Sequence, residues 1–338
     1  MKVGVVILNW NGLELLKSYL PSVVKFTYNH VIYLADNAST DESILWTRQH
    51  YPDVKIIAMQ ENRGYAGGYN QALKSVEEEV VCLLNNDVTV TEHWCDIIAR
   101  LFETEPDLAA CQPLLLDDKN PDKFEYAGAA GGYLDKYAYP YCRGRIFDTL
   151  EVDQGQYKTT IDLHWASGAA LFLRRNAFDR VGGLDPDYFA HQEEIDLCWR
   201  LRLAGHKIGC ASDSKVYHLG GGTLNNINPQ KTFYNFRNSL FNIVKNDHQP
   251  RWWWRLFIRM LLDGIAGIKF LLEARPRHFF AVLKAHFSFY KRLGDFKHKR
   301  KKSTALLTHK TLPQPKIFLV YQYFVKGRRH YTSLKKHS

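Results

Sequence analysis

Residues 2–91 repeat one pattern, a short apolar run closed by a polar cluster, and this repeat most restricts how the chain can fold. The runs at 2–8 (KVGVVIL), 30–36 (HVIYLAD), 54–59 (VKIIAM) and 80–85 (VVCLLN) have the length and β-branched content of buried strands. Between them, 12–24, 39–50 and 65–76 carry helical spacing, and Ser39-Thr40 before Asp41 and Glu42 form a helix start. Short apolar strands alternating with helices predict a mostly parallel sheet covered on both faces. Such sheets bind ligands beyond the carboxyl ends of their strands. That is where this chain puts Asn9-Trp10-Asn11-Gly12, Asp36-Asn37, Glu61-Asn62-Arg63-Gly64 and Asn85-Asn86-Asp87. Loops are polar in any protein, but four strands delivering polar groups to one edge describe a site.

The pattern weakens over 118–162, where the Gly- and Tyr-rich stretch YAGAAGGYLDKYAYPYCRG is expected to loop over the sheet. It returns as a strand-like run at 164–175, a short helix with a Gly-Gly stop at 176–189, and a helix over 193–208. Charge then divides the chain. Residues 228–338 hold 24 Lys and Arg against four Asp and Glu, whereas residues 1–227 hold 21 against 31. An acidic body at 1–227 with a basic, aromatic-rich helical region at 228–338 is a two-part design whose second part seeks a polyanion. The six cysteines form no CxxC pair or cluster, which argues against zinc, and Cys82 reads as a small buried hydrophobe. With a strand pattern opening at Lys2 and no secretory leader, a reduced cytosolic setting is expected.

Two acidic features carry chemistry. Asp87 follows a buried run, and a hard divalent cation wants oxygen ligands of which a nucleoside diphosphate brings most, leaving one or two carboxylates to the protein. The plainer alternative is a turn or a helix cap. Glu193-Glu194 opens a helix, where the helix dipole alone favours negative charge; the functional alternative is that one of them is a general base.

The blocks VVILNWNG, LADNASTDES, NRGYAGGYNQAL, LLNNDV, WASGAALFLRR, GGLDPDYFAHQEEIDLCWRLRLAG and VYHLGGGT resemble, in order, the motifs of family 2 glycosyltransferases with the GT-A fold, in the bacterial rhamnosyltransferase-like branch. The resemblance covers about residues 1–240. It implies a Rossmann-like α/β domain that takes a UDP- or dTDP-linked sugar and transfers it, with inversion, to a hydroxyl of a glycan or lipid-linked acceptor. Asp36 matches the family's base-reading carboxylate, and Asn9 its nucleotide-contacting segment. Arg63, Gly64, Gly67 and Gly68 match its donor-binding block, where the glycines serve either close approach to ligand or helix–sheet packing. Asp87 matches the last carboxylate of the metal motif and His218 a further metal or diphosphate contact, for Mg2+ or Mn2+. Asn85 stands where the commoner form has Asp; it either ligates through its amide oxygen or bonds the ribose. Glu194 aligns with the base and Glu193 precedes it, the choice between them staying open, while Asp196 and Arg200 hold that helix by charge pairing. Arg237 is a candidate for the leaving diphosphate. The segment FYNFRN lacks the Gln-x-x-Arg-Trp of processive relatives, so one sugar per turnover is expected.

Beyond residue 250 the chain combines aromatics, helical apolar spacing and a dense cationic fringe. Arg259, Asp263 and Lys269 interrupt the long apolar run, each at about 2.5–3.5 kcal/mol at a bilayer centre. A segment lying in the headgroup plane is expected, with Trp252–Trp254 at the interface and Lys297–Lys302 on anionic lipid, peripheral at the inner face of the cytoplasmic membrane. A soluble helical subdomain packed on the body is the alternative. No nucleic-acid-binding module accompanies the charge, so nucleic acid is not expected as a partner. Two other functions compete: a sugar nucleotidyltransferase, against which stands the lack of an early Gly-rich phosphate loop with a Lys, and an inactive nucleotide-binding membrane scaffold, which the Asn85 and Glu194 departures permit.

Overall fold

A computed structural model describes residues 1–220, 228–306, 308, 312 and 316–335. The first half alternates as the apolar runs predict: β1 (Val3–Asn9), α1 (Leu13–Phe26), β2 (Val31–Asp36), α2 (Ser43–His50), β3 (Lys55–Ala58), α3 (Gly64–Ala72), β4 (Val80–Asn85), β5 (Val88–Val90), α4 (Trp94–Thr104) and β6 (Leu108–Asp117). Four short strands follow, β7 (Gly132–Leu134), β8 (Pro140–Cys142), β9 (Arg145–Ile146) and β10 (Thr149–Leu150). Next come β11 (Ala170–Arg174), α5 (Arg175–Arg180), α6 (Glu193–Leu203) and β12 (Lys207–His218). The chain ends in α7 (Pro229–Asn246), α8 (Trp252–Leu272), α9 (Pro276–Thr304) and α10 (Tyr331–Lys335).

The main sheet has eight strands in the order β3-β2-β1-β4-β11-β6-β12-β5. β3, β2, β1 and β4 run parallel, β6 pairs parallel with β12, and β11 and β5 pair antiparallel to their neighbours. Alternate residues of each central strand enter opposite cores, as a strand's period of two requires. Val3, Val5 and Ile7 of β1 with Val80, Cys82 and Leu84 of β4 face Leu16 and Leu20 of α1 and Trp94 and Phe102 of α4. Val6, Val81 and Leu83 face Ala66 and Tyr69 of α3 and Leu197 and Leu201 of α6. Register then fixes the site's location. Asn9 lies opposite Asp36, and Leu8 opposite Asn85, so three polar strand ends stand side by side.

Three expectations change. The stretch expected to loop over the sheet instead holds the small antiparallel sheet β10-β9-β8-β7. The strand expected from 164 begins at Ala170, because Trp165 bridges Gly132 of that small sheet and the Ser167 N–H donates to the buried Gln112 side chain at 2.8 Å. The helix expected to reach 208 stops at Leu203, where Gly205 takes φ +88° and the His206 N–H donates to the Leu201 carbonyl, an ordinary glycine-terminated helix end.

The basic region is three packed helices. Phe241 of α7 lies flat on Phe296 of α9, and Tyr188, Leu240, Val244 and Phe289 complete that core. The last segment returns to the body: Leu319, Tyr331 and Leu334 join the main core, and the Tyr331 N–H donates to Glu151 at 2.8 Å. All six cysteines are buried and free. Among the described residues no helix is long and apolar enough to cross a membrane.

Candidate active site

β1, β2 and β4 deliver one connected polar set. Asn9, fully buried, has its amide nitrogen 3.3 Å from Asp36 and from the Ser39 hydroxyl, and its oxygen accepts from Asn86 at 3.0 Å. Asp36 also accepts from the Ser39 N–H at 2.9 Å. Each of its carboxylate oxygens therefore keeps a lone pair for a further donor. Asn37 ties this edge to the turn before α3, donating to Asn62 and to the Gly64 carbonyl and accepting from the Arg63 N–H. Arg63 itself points outward and pairs with Glu61 at 2.7 Å. Gly64 lies against Phe189, and Gly67 faces the Arg63 side chain. Gly68 packs on Leu8 of β1, so this glycine serves helix–sheet packing.

The short turn from β4 to β5 buries Asp87, and β12 ends beside it at His218. Nε2 of His218 is 3.2 Å from Asp87 and 3.3 Å from the Asn85 amide, and Nδ1 is 3.4 Å from Glu125. Burial lowers the basicity of this imidazole, but hydrogen bonding and charge from Asp87 and Glu125 outweigh it and lift its pKa to about 10. Among the described residues no three His, Cys, Asp or Glu side chains form a set that holds a cation by themselves. Asp87 presents one carboxylate and His218, once a cation displaces the proton that the two carboxylates favour on Nε2, one imidazole, at the spacing that two neighbouring ligands of one small cation require. With a diphosphate supplying the remaining oxygens, that donor set fits Mg2+ or Mn2+. The block VYHLGGGT that holds His218 continues past Gly220 into residues outside the described ones.

The acid pair stands at the start of α6, after a tight turn in which Phe189, His191 and Gln192 all take positive φ. Glu193 is 5% exposed and its Oε2 has no hydrogen-bond partner among the described residues; burial and then the Glu194 charge push its pKa well up. Glu194 is less enclosed by area. Burial raises its pKa to about 7, against backbone N–H groups of Glu194, Gln192 and Ile195 that favour the carboxylate. A carboxyl poised near neutrality is what a general base needs.

Both clusters share one edge. The Asn85 N–H donates to the Ala169 carbonyl at 3.0 Å, and the preceding Gly168 lies between Tyr65 and Glu194. A β-carbon on Gly168 would stand 2.7 Å from the Tyr65 hydroxyl and 3.8 Å from the Glu194 β-carbon. The missing side chain lets Tyr65 donate to the Gly168 carbonyl at 2.7 Å. Tyr65 packs edge-on against Tyr69, which lies near Asp87, while Tyr65 itself lies near Glu193 and Glu194.

Arg237 is placed differently from its sequence expectation. Its guanidinium donates to the Tyr188 carbonyl and to Asn238 and lies over the rings of Phe233, Tyr234 and Phe241. It braces the turn before α6, and no described contact joins it to Asp87. Asp196 anchors the same helix, with Arg200 at 2.6 Å and Lys245 of α7 at 2.9 Å. The roles of Asn37, Asn86, Gly168 and Glu125 are additions to the sequence reading. The first two stood in the recognised polar clusters, whereas Glu125 lies in a stretch with no periodic signal.

A mostly parallel sheet with a connected polar set at its carboxyl edge, and an acid pair on the helix beside it, is the arrangement of a glycosyltransferase of the GT-A kind. Residues 4–182 match the family described as Glycosyl transferase family 2, and the chain belongs to it. It is 26% identical over 278 residues to the N-acetylglucosaminyl-diphospho-decaprenol L-rhamnosyltransferase of Mycobacterium tuberculosis, covering 77% of this chain and 89% of that protein. It is 24% identical over 215 residues to rhamnosyltransferase WbbL of Escherichia coli K12, covering 61% and 79%. The fold is shared with the mannosyltransferase PcManGT from Pyrobaculum calidifontis, solved with GDP-Man and Mn2+, at a TM-score of 0.52 and 14% identity over 90% of this chain and 85% of that one.

Proposed function

We propose that this enzyme transfers a single sugar from a UDP- or dTDP-linked donor to a hydroxyl of a glycan or lipid-linked acceptor, with inversion, in bacterial cell-surface polysaccharide synthesis. The observation that carries this reading is the meeting, at one sheet edge, of the Asp87–His218 pair with the buried acid pair of α6. Asn9 and Asp36 receive the nucleoside, the carboxylate accepting the N3–H of uracil or thymine. Asp87 and His218 would hold a divalent cation, with the Asn85 amide beside them. When bound, that cation stabilises the charge of the departing diphosphate.

Glu194 takes the proton of the acceptor hydroxyl as that oxygen bonds to the anomeric carbon. The bond from that carbon to the diphosphate oxygen breaks on the opposite face, and the nucleoside diphosphate leaves with the electron pair. Glu193, in a site that disfavours a second negative charge, stays neutral and keeps the pair from repelling itself. Tyr65, fixed by Gly168, walls the acid pair. The rhamnosyltransferase relatives favour a deoxysugar donor, and the decaprenyl-linked acceptor of the mycobacterial relative favours a peripheral enzyme at the cytoplasmic face of the membrane.

Turnover with UDP- and dTDP-sugars and a short-chain lipid-linked acceptor, read by NMR of the product, tests this. One added sugar of inverted anomeric configuration is expected; a retained configuration, or a nucleoside triphosphate formed in the reverse direction with pyrophosphate, would overturn it.

A further inference from the structure

We infer that the outer face of the α8–α9 hairpin docks this enzyme onto an anionic lipid bilayer. Trp253, Phe257, Leu261, Ile265, Ile268 and Leu272 follow helical spacing along α8 and are 59, 48, 52, 62, 56 and 83% exposed. Phe280, Leu283, Phe287 and Tyr290 form a second stripe on α9, 63, 41, 74 and 55% exposed. An open groove of about 360 Å³ between Trp253, Phe257 and Leu261 on one helix and Tyr290 on the other belongs to the same surface. Soluble surfaces carry scattered apolar side chains, not two adjoining stripes of this length.

These stripes are not the hairpin's inward surface turned out by chance, because the inward surface is fully used. Arg259 and Asp263 of α8 form a buried pair at 2.9 Å, with Arg259 3.7 Å from the Tyr139 ring centre. Ala281, Ala285, Phe289 and Phe296 of α9 pack toward α7 and Tyr188. Both helices thus have one face engaged by the body and a second, apolar face with no described residue over it.

Charge decides what covers the second face. Arg251, Arg277, Lys284, Lys291 and Lys297 are exposed on or beside the same helices, and Lys326 and Arg329 flank the exposed Phe324 and Val325. The acids there are already engaged: Asp263 with Arg259, Glu273 with Lys269 at 2.8 Å, and Asp295 with Arg292 at 3.8 Å. A second copy would bring an equal positive field against this one and be repelled. An anionic headgroup layer over hydrocarbon meets both the cations and the stripes. Three expected lipid contacts change sides. Lys299 is 2.5 Å from Asp185 and from Asp187, and Arg300 donates to the Val244 and Asp247 carbonyls while lying over Trp252, so these three residues face the body.

Those inward ion pairs make the hairpin a rigid mount. Lys299 and Arg292 of α9 grip Asp185 and Asp187, and Lys245 of α7 links Asp185 to Asp196 of the catalytic helix. The bilayer surface is therefore held at a fixed attitude to the acid pair. This placement rests on the membrane setting proposed above, yet its test needs no turnover.

Sedimentation of the full chain with vesicles of phosphatidylcholine, with and without phosphatidylglycerol, reads it directly. Binding is expected to the anionic vesicles, about tenfold weaker for neutral ones and falling with salt. Trp253→Ser/Phe257→Ser/Leu261→Ser, exposed and neutral for folding, should lose binding at least as far, and Lys284→Glu/Lys291→Glu should lose the preference for phosphatidylglycerol. Both variants should keep nucleotide affinity and transfer to a water-soluble acceptor, which separates loss of docking from failure of the catalytic reading. Absence of sedimentation with either vesicle would overturn the proposal. So would a wild-type dimer in light scattering that the triple variant abolishes, since the face would then be a contact between copies.

Discussion

Glu194→Gln is expected to lower the transfer rate by about 10²–10⁴-fold while leaving nucleotide affinity and folding intact. The amide keeps the shape of the side chain and removes its basicity. Because burial raises the Glu194 pKa to about 7, its carboxylate form grows as pH rises. The wild-type rate should climb up to about pH 7 and then level, and the variant should lose that climb. Burying an acid whose folded pKa is raised costs stability once pH exceeds its ordinary value of 4.5, so the neutral glutamine should not lower Tm. Glu193→Gln is the discriminating partner. It should keep the pH climb, because burial and the neighbouring carboxylate already disfavour the charged form of Glu193. If Glu193→Gln abolished the climb and Glu194→Gln kept it, the two roles would be reversed.

Removing Asp196 should produce the largest stability loss in the body. Its carboxylate is fully buried and meets Arg200 and Lys245, 5% and 6% exposed at their side chains, together with the Asn246 amide at 2.8 Å. Asp196→Ala leaves these cations short of their shared anion, at about 3–5 kcal/mol. Thermal unfolding by circular dichroism should show a fall in Tm of several degrees, with activity lost as α6 loosens from α7. The pH dependence follows. Burial opposes the Asp196 charge, but Arg200 and Lys245 outweigh it and hold its pKa well below the ordinary 3.8. Its contribution is complete above that value and is lost as pH falls below it. Asp196→Asn should remove this part of the acid sensitivity. An unchanged Tm in Asp196→Ala would show that the Lys245–Asp185 pair and the Arg200 hydrogen bond to the Val181 carbonyl, at 2.7 Å, carry the joint without it.

The carboxyl edge of the sheet was legible because it depends on two strong signals. Parallel strands buried on both faces read as unbroken Val, Ile and Leu runs, and the polar residue that ends each run marks the same edge in all of them. Asn9, Asp36, Asn85 and Asp87 are found by that reasoning alone. Glu125 was not. It is brought to His218 from the connection between β6 and β7, where its N–H donates to the Leu115 carbonyl of β6, and nothing in the stretch KFEYAG marks its carboxylate. Arg237 misled for another reason. An arginine near a site reads as an anion ligand, but the three aromatic rings beneath it and the Tyr188 carbonyl claim it first.

The basic region was legible in composition and not in facing. α8 and α9 are apolar on two sides, so periodicity could not say which side packs on the body. The contacts of Lys299, Arg300 and Trp252 answer that, and they come from residues distant in sequence: Asp185, Asp187 and α7. The ending of α6 shows the opposite case, since Gly205 was a readable stop within the stretch expected to stay helical.

Calorimetric binding of UDP, dTDP and GDP, each with Mn2+, Mg2+ or EDTA, to the wild type and to Asp87→Ala shows whether Asp87 and a divalent cation together hold the nucleotide. Tight binding of one pyrimidine diphosphate is expected only with a divalent cation, and is expected to be lost in Asp87→Ala. Binding that persists in EDTA and is unchanged by Asp87→Ala would contradict it, by taking Asp87 and the cation out of the site.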